Sequence, residues 1–256
     1  MQIGSIVAVV TGGASGLGMA TVEGLVAAGA KAAIFDLNEA SGRQMESRLG
    51  SAAMFSRVDV ADEASVQAGL DAVVARFGAI HVLVNCAGIG HAIKTLGKDG
   101  PYPLDKFKQT ITVNLIGTFN VLRLAAAIMA KNDPLNESGE RGLIVNTASI
   151  AAFEGQMGQA AYSASKGGVV GMTLPIARDL ASLGIRVNTI APGIIETPMF
   201  ASLSEKAIAA LTENVQFPKR LGRPAEYAQL VRSLIENSYI NGETIRLDGA
   251  LRMAAR

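Results

Sequence analysis

The feature that most constrains the fold is an alternation of short β-branched runs with longer helical stretches. Runs such as SIVAVV, HVLVN and IRVNTI alternate with amphipathic segments such as 16–28, 105–130 and 159–182. Because this alternation is typical of right-handed βαβ crossovers, it predicts an α/β fold with a parallel sheet and helices on both faces. No stretch rich in proline, serine or charge divides the chain, so we expect a single domain over residues 1–256.

The bulk composition argues against several classes of partner. Hydrophobic residues make up 49% of the chain, enough for a large core, and the net charge is only +1, which gives no indication of a nucleic-acid or membrane partner. The most apolar helical run, VLRLAAAIMA, is shorter than a membrane span and contains Arg123. One cysteine and two histidines form no metal-ligand pattern, so we expect no metal site. Because no export or transit pattern is visible, we expect a cytoplasmic protein.

A glycine-rich segment, TGGASGLG at 11–18, follows the first strand run and precedes a good helix. Glycines let the backbone approach a pyrophosphate, and a helix N-terminus offers free N–H groups and a positive dipole end. An ordinary strand-to-helix turn has the same composition, so the context must decide. We predict that a dinucleotide contacts Gly12, Ser15, Gly16, Leu17 and Gly18.

The second strand run ends in IFDL and supplies that context. Asp36 lies eighteen positions after Gly18, close to the spacing of about 20 expected for an acid that binds a ribose 2′-hydroxyl. A carboxylate there repels a 2′-phosphate, and no lysine or arginine in the glycine loop or directly after Asp36 offsets the repulsion. NAD is therefore favoured over NADP, although Asp36 as a simple turn former is the alternative.

The next two strand runs end in RVDV and VNCAG. We expect Asp59 and Val60 to border the adenine ring. The small residues Cys86, Ala87 and Gly88 would let a flat cofactor pass over the strand ends. We interpret Cys86 as part of the crevice wall rather than a nucleophile, because no histidine is placed to activate it.

Two Tyr-x-x-x-Lys segments occur in the chain. In the first, Tyr102 lies between two prolines, so it does not share a regular helix with Lys106. In the second, QAAYSASKGG, Tyr162 and Lys166 share one face of a predicted helix. Ser149 ends the fifth strand run thirteen residues before Tyr162, at the edge where open α/β sheets bind their ligands.

The ordered set of glycine loop, Asp36, NCAG, VNL, Ser149, Tyr162 and Lys166 resembles the short-chain dehydrogenase/reductase family over essentially the whole chain. The segment NTASIAAFEGQMGQAAYSASKGG and the tail NGETIRLDGALRM resemble its type II 3-hydroxyacyl-CoA dehydrogenase branch, and polar loops at 91–103 and 131–142 look like insertions of that branch. The resemblance implies a Rossmann-like, doubly wound sheet of seven parallel strands in the order 3-2-1-4-5-6-7. It also implies NAD as cofactor and a homotetramer.

The resemblance also implies catalytic roles. Tyr162 would be the general acid/base, and the Lys166 ammonium, with the positive nicotinamide, would lower the pKa of Tyr162 towards working pH. Lys166 would also hydrogen-bond the nicotinamide ribose. Ser149 would hold the reacting oxygen. Asn114 would hold a water in a proton relay, and a helix asparagine bonded to backbone is compatible with that role. Ser149, Gln156 and Tyr162 would contact the substrate.

After the sixth strand run, the family closes over the carboxamide side of nicotinamide. The matching residues here are Pro192, Gly193, Ile195 and Thr197, and Ile195 departs from the aromatic residue that the branch can carry. The stretch 197–218 matches a substrate lid. Its apolar positions at helical spacing also fit a helix packed on its own domain; they are Phe200, Leu203, Ile208 and Leu211.

The resemblance implies NAD-dependent oxidation of the 3-hydroxyl of a 3-hydroxyacyl-CoA to 3-oxoacyl-CoA, within fatty acid metabolism. The alternatives are a dehydrogenase of hydroxysteroids or other secondary alcohols, and a 3-oxoacyl-carrier-protein reductase, which Asp36 disfavours. A non-catalytic NAD-binding scaffold is disfavoured because all four candidate catalytic residues are present. Lys98, Lys219 and Arg220 are candidates for coenzyme A phosphate contacts, or simply solvated surface residues.

Overall fold

A computed structural model describes residues 1–197 and 212–255 of the chain. One sheet has the strand order β3-β2-β1-β4-β5-β6-β7, and every adjacent pair is parallel. This confirms the predicted fold class and strand order. Its strands are β1 Val7–Thr11, β2 Lys31–Asp36, β3 Ala53–Arg57, β4 Val82–Asn85, β5 Gly142–Thr147, β6 Ile185–Pro192 and β7 Thr244–Leu247.

Helices connect these strands on both sides of the sheet. They are α1 Gly16–Ala27, α2 Glu39–Leu49, α3 Glu63–Phe77, α4 Leu104–Ile111, α5 Thr118–Met129, α6 Ala160–Ala181 and α7 Pro224–Glu236. Side-chain caps start two of them: Asn38 accepts a hydrogen bond from the Ser41 amide before α2, and Asp62 does so from Ser65 before α3. α3 ends at Gly78, whose left-handed conformation suits a helix terminus.

Short irregular elements complete the described chain. A π-helical turn, Thr112–Gly117, joins α4 to α5, and the polar loop 91–103 contains a small antiparallel hairpin, Leu96–Gly97 with Gly100–Pro101. Single 3-10 turns cover Ile3–Ser5, Gly50–Ala52 and Ile150–Ala152. Most of the expected lid, including Phe200, Leu203, Ile208 and Leu211, lies outside the described residues.

Two hydrophobic clusters cover the two faces of the sheet. Along β1, Ala8 and Val10 join the cluster that contains helices α1 and α7, whereas Val7 and Val9 join the cluster that contains α3 and α5. Successive strand side chains point to opposite faces, and here both faces are buried. The burial explains why the strand runs are almost wholly apolar. It also leaves the carboxyl ends of the strands as the edge on which ligands bind in such sheets.

The stretch Leu104–Met129 is long and apolar enough to cross a membrane, judged by length and composition alone. No uninterrupted apolar run of that length exists in the sequence, because Lys106, Lys108 and Arg123 interrupt it. The second half of the stretch packs on the sheet, with Val121 and Met129 in the same cluster as the β1 residues Val7 and Val9. It is therefore a core helix of the fold.

Candidate active site

The glycine loop between β1 and α1 packs tightly against the end of β4. Gly12 and Gly16 have positive φ angles of 61° and 50°, which disfavour any other L-residue. A Cβ added at Gly12 would lie 2.8 Å from the Ala87 nitrogen, and one at Gly18 would overlap the Gly12 carbonyl. Ser15 precedes α1 without a side-chain cap. The loop thus combines a close backbone turn with an uncapped helix N-terminus, which suits a phosphate ligand.

Asp36 ends β2 beside this loop. Its Oδ2 accepts a hydrogen bond from the Ala14 amide at 3.0 Å, and its Oδ1 accepts one from the Asn38 amide at 2.9 Å. The carboxylate therefore performs the turn-forming role and also holds the glycine loop. Each carboxylate oxygen has a second lone pair, so the position predicted for ribose recognition remains available to hydroxyl donors.

The ends of β3 and β4 border the same edge of the sheet. Asp59 Oδ1 accepts from the Ala61 amide at 2.9 Å, whereas the Val60 side chain is buried, with only 8% of its surface exposed. After β4, the amides of Cys86 and Ala87 donate to Thr11 Oγ1 at 3.1 and 3.2 Å. These bonds fix the start of the NCAG segment against β1.

Gly88 lies where the two halves of the candidate site meet. A Cβ there would lie 3.3 Å from Asn114 Oδ1 and 3.6 Å from Lys166 Nζ. The NCAG segment packs against the glycine loop, and it therefore also lies against two of the predicted catalytic residues.

The predicted Ser–Tyr–Lys set converges at the carboxyl end of β5. Tyr162 and Lys166 lie one turn apart on α6, with Lys166 Nζ 5.8 Å from the centre of the Tyr162 ring. Ser149 begins the 3-10 turn after β5, where its Oγ accepts from the Ala151 amide at 3.1 Å. The Ser149 hydroxyl also hydrogen-bonds the Tyr162 phenol.

The pKa of Tyr162 is raised in this structure. Burial raises it above the ordinary value, and the hydrogen bond from Ser149 lowers it only in part. Lys166 is not among the groups that shift this pKa, and its ammonium donates to the Thr147 carbonyl at 2.7 Å. The expectation concerned Lys166 acting together with the positive nicotinamide, so it stays a prediction for the site with nucleotide bound. The phenol is protonated at neutral pH.

Lys166 is itself strongly perturbed. Its side chain is 4% exposed, and burial lowers its pKa to about 8, a shift that the nearby Cys86 opposes. Desolvation disfavours a buried ammonium. Lys166 therefore gains and loses its proton close to working pH.

Asn114 lies in the π-helical turn, and backbone and side-chain partners hold its amide. Its Oδ1 accepts from the Ile89 amide at 2.8 Å, and its Nδ2 donates to the Ile89 carbonyl at 2.8 Å and to Ser165 Oγ at 3.0 Å. This is the backbone-bonded arrangement considered from the sequence. It fastens the segment after β4 to α6, and the water relay stays a prediction.

The segment after β6 presents backbone rather than side chain. The Gly193 amide donates to the Leu247 carbonyl at 2.9 Å, and the Ile195 side chain is 4% exposed and part of the core. Ile195 pairs with Gly222 through a β-bridge. The departure at Ile195 therefore alters core packing and leaves main-chain contacts to a cofactor possible. Pro192 and Thr197 lie in the same segment, and main-chain contacts remain possible there too.

Three of the four remaining predicted contact residues bind other groups of the protein. The Gln156 side-chain amide donates to the Ala254 carbonyl at 3.1 Å, so substrate contact by this side chain stays a prediction. Arg220 forms a two-point ion pair with Glu226, and Lys219 donates to the Glu213 carbonyl at 3.2 Å. Lys98 is exposed in the loop 91–103.

Two negative observations concern the described part of the chain, residues 1–197 and 212–255. No group of three or more histidine, cysteine or acidic side chains there is placed to hold a metal ion. Tyr102 precedes α4, which contains Lys106, so the first Tyr-x-x-x-Lys segment does not share a helix, as predicted.

Two residues at or next to this site were not predicted from the sequence. Thr147 lies within the quoted NTAS run, but only the folded chain shows that its carbonyl accepts from Lys166. Tyr227 lies on α7, far away in sequence, and its hydroxyl is 2.7 Å from Thr147 Oγ1. Such contacts depend on strand ends and helix docking, which sequence patterns do not specify.

Comparisons with known proteins agree with this geometry. The short chain dehydrogenase family model matches residues 6–208. The human and fruit fly (Drosophila melanogaster) proteins named 3-hydroxyacyl-CoA dehydrogenase type-2 are 56% and 52% identical over 254 residues, which is 98% of this chain and 97% and 99% of those proteins. The crystal structure of 3-hydroxyacyl-CoA dehydrogenase type-2 from Mycobacterium avium superimposes with a TM-score of 0.96 at 46% identity, covering 100% of this chain and 99% of that one. The chain is an oxidoreductase that belongs to the short-chain dehydrogenase family.

Proposed function

We propose that this protein catalyses the reversible NAD-dependent oxidation of the 3-hydroxyl of a 3-hydroxyacyl-CoA to 3-oxoacyl-CoA. The observation that carries the proposal is the convergence of Ser149, Tyr162 and Lys166 beside the glycine loop and Asp36. The named activity of the full-length relatives supports the acyl-CoA substrate.

The chain's own residues supply the proton chemistry. When bound, the nicotinamide ring supplies the acceptor for the hydride that leaves the substrate carbon. In the oxidation, Tyr162 takes the proton of the substrate hydroxyl, and Ser149 donates a hydrogen bond to the reacting oxygen. Lys166, whose pKa is about 8, exchanges protons with its surroundings without a large energy cost.

The protonation state of Tyr162 favours one direction at neutral pH. Because burial raises the pKa of its phenol, Tyr162 is protonated there and acts as the acid that donates to a 3-oxo group. Reduction is therefore the direction to assay near neutral pH, and oxidation becomes faster as the pH rises.

NAD is the proposed cofactor because Asp36 borders the glycine loop. Its carboxylate oxygens accept from backbone amides and repel a 2′-phosphate. Titration of NADH and NADPH, followed by nucleotide fluorescence, tests this point. Tighter binding of NADPH than of NADH would contradict it.

The substrate assignment is tested by NADH oxidation with three acceptors: acetoacetyl-CoA, an acetoacetyl carrier protein and a ketosteroid. We expect acetoacetyl-CoA to give the highest kcat/KM. Preference for the ketosteroid would favour the secondary-alcohol alternative, and preference for the carrier protein would favour a reductase of fatty acid synthesis. An enzyme that binds NADH but turns over none of them would contradict the proposal.

A homotetramer is proposed on the family resemblance. Exposed apolar side chains in the π-helical turn and α5, Ile116 at 52% and Phe119 at 47% exposure, support a surface that other copies cover. Light scattering coupled to size-exclusion chromatography measures the mass in solution. A monomeric mass at micromolar concentration would contradict the proposal.

A further inference from the structure

A buried hydrogen-bonded cluster lies next to Lys166. It consists of Thr147 at the end of β5, Cys86 after β4 and Tyr227 on α7, and we call it the Thr147 cluster. The Tyr227 hydroxyl is 2.7 Å from Thr147 Oγ1, and the Cys86 sulfur is 3.6 Å from Thr147 Oγ1 and 3.7 Å from the Tyr227 hydroxyl. Tyr227 is 0% exposed, so its hydroxyl needs a partner inside the protein.

The cluster reaches Lys166 through one residue. Thr147 turns its side chain to Tyr227 and its carbonyl to the Lys166 ammonium, with an Nζ–O distance of 2.7 Å. Within residues 1–197 and 212–255, that carbonyl is the hydrogen-bond acceptor recorded for Lys166. Any rotation of the Thr147 peptide therefore moves the group that orients the ammonium.

The sheet holds this peptide through its N–H group. Thr147 and Ile190 form the last pair of the β5–β6 ladder, and the Ala148 amide, which belongs to the same peptide as the Thr147 carbonyl, donates to the Ile190 carbonyl at 2.8 Å. A side-chain hydrogen bond at the end of a ladder supplies an additional constraint. Tyr227 is suited to supply it, because it is fully buried on α7, a helix that packs against α1.

We propose that Tyr227 is a positioning residue for Lys166. Its hydroxyl holds the Thr147 side chain, and this contact fixes the Thr147 carbonyl at which the Lys166 ammonium is anchored. The proposal rests on the dehydrogenase function described above, because it concerns the same Lys166.

Tyr227 acts as a hydrogen-bonding group and not as a second acid. Burial raises its pKa well above the ordinary value for tyrosine, so it stays neutral at working pH. Burial also raises the pKa of the Cys86 thiol, although its hydrogen bonds with Thr147 and Tyr227 and the charge of Lys166 oppose this rise. The titratable groups recorded near Lys166 are Cys86 and Tyr162.

The test uses three single substitutions in the full chain. Tyr227→Phe and Thr147→Val each remove one hydroxyl and keep the shape, whereas Thr147→Ser keeps the hydroxyl and is the matched control. The first measurement is the dissociation constant of NADH by fluorescence between roughly pH 6 and 10, a range centred on the lysine pKa of about 8. The second is kcat for reduction of acetoacetyl-CoA.

We expect wild type to show one group that titrates near the Lys166 pKa of about 8. In Tyr227→Phe and Thr147→Val, a loosened carbonyl stabilises the ammonium less, so this titration moves to lower pH. We also expect kcat to fall about 3–10-fold in both, the size expected for one hydrogen bond. Thr147→Ser should behave as wild type. The double variant that combines Tyr227→Phe with Thr147→Val should lose no more kcat than either single variant, because both substitutions remove the same contact.

A merely structural role gives a different pattern. If Tyr227→Phe and Thr147→Val unfold at lower temperature but keep the wild-type NADH titration and kcat, the positioning role is wrong. The NADH titration needs no acyl-CoA. If wild type fails to reduce acetoacetyl-CoA while its NADH titration still shifts in the variants, the substrate assignment fails and the positioning role stands.

Discussion

At the residue scale, the two Tyr-x-x-x-Lys segments have the same spacing but different surroundings. Tyr162 hydrogen-bonds Ser149 and lies beside Lys166. Tyr102 instead packs edge-on against Phe107, with ring centres 6.3 Å apart, and its buried hydroxyl has no partner within the described residues. The spacing indicates only that a tyrosine and a lysine are near in sequence, whereas the chemistry depends on the serine that joins them in space.

The first prediction therefore concerns Tyr162→Phe. Removing the hydroxyl removes the proton donor, so we expect kcat for acetoacetyl-CoA reduction to fall at least about 100-fold. The ring remains, so NADH should bind with an affinity within about threefold of wild type, as measured by fluorescence titration. Loss of NADH binding together with turnover would mean that Tyr162 acts through structure.

Tyr102→Phe is the matched control. Since the Tyr102 hydroxyl is buried without a recorded partner, its removal should leave kcat unchanged and alter the free energy of unfolding by less than about 1 kcal/mol. A large loss of turnover in this variant would overturn the choice between the two segments.

At the element scale, the glycine loop depends on close backbone approach. A Cβ at Gly18 would overlap the Gly12 carbonyl, so we expect Gly18→Ala to lower the free energy of unfolding by about 2 kcal/mol or more. It should also weaken NADH binding, because the loop must shift. Chemical denaturation and NADH titration measure the two effects.

Gly171→Ala provides the comparison within another helix. Gly171 lies in α6, and a Cβ there would meet no atom within 4 Å. Alanine favours helix over glycine by up to about 1 kcal/mol, so this variant should be as stable as wild type or more stable. A destabilised Gly171→Ala would show that glycine loss itself, rather than the steric overlap, explains the Gly18 result.

The helical stretch before β5 contains a feature that the apolar sequence pattern does not reveal. Apolar periodicity predicts one amphipathic stretch at 105–130, but the structure divides it with the π-helical turn Thr112–Gly117. That turn contains Asn114, whose amide bonds to Ile89 and Ser165. A single extra residue per turn barely changes the apolar pattern, so the sequence indicates the asparagine but not the device that orients it.

At the scale of the whole molecule, the alternation of strand and helix runs predicted a parallel sheet with helices on both faces, and the family resemblance implied the strand order and the catalytic set Ser149, Tyr162 and Lys166. A parallel sheet brings the carboxyl ends of its strands to one edge, which is why Ser149, after the fifth strand, was expected at a ligand site. The anchoring of Lys166 by Thr147 and the burial of Ile195 were not predictable. They depend on which atoms face each other after distant segments pack.

A histidine beside the central strands makes the free energy of unfolding depend on pH. His81, just before β4, accepts a hydrogen bond from the Val7 amide at its Nδ1 at 3.0 Å, and its carbonyl accepts one from the Leu143 amide. Burial lowers the pKa of His81 below its ordinary value. The unfolded chain therefore binds a proton more readily, so the stabilisation is present above the unfolded pKa of about 6.5 and is lost as the pH falls through the folded value.

We accordingly expect the free energy of unfolding to decrease as the pH falls below about 6.5. His81→Asn has no titrating ring and should decrease less over the same range. Urea denaturation at several pH values measures both proteins. Identical pH dependence in the two would assign the acid sensitivity to other groups.

Asp36 carries a consequence for redesign of the nucleotide preference. Its carboxylate holds the Ala14 amide as well as the edge on which the ribose is expected to lie. Exchange for alanine, intended to admit a phosphorylated nucleotide, would also leave that amide without its acceptor and loosen the loop. A small residue with a side-chain oxygen, such as serine or asparagine, would retain an acceptor without the negative charge. Selectivity and loop order are thus separable at this position only if the replacement keeps an oxygen there.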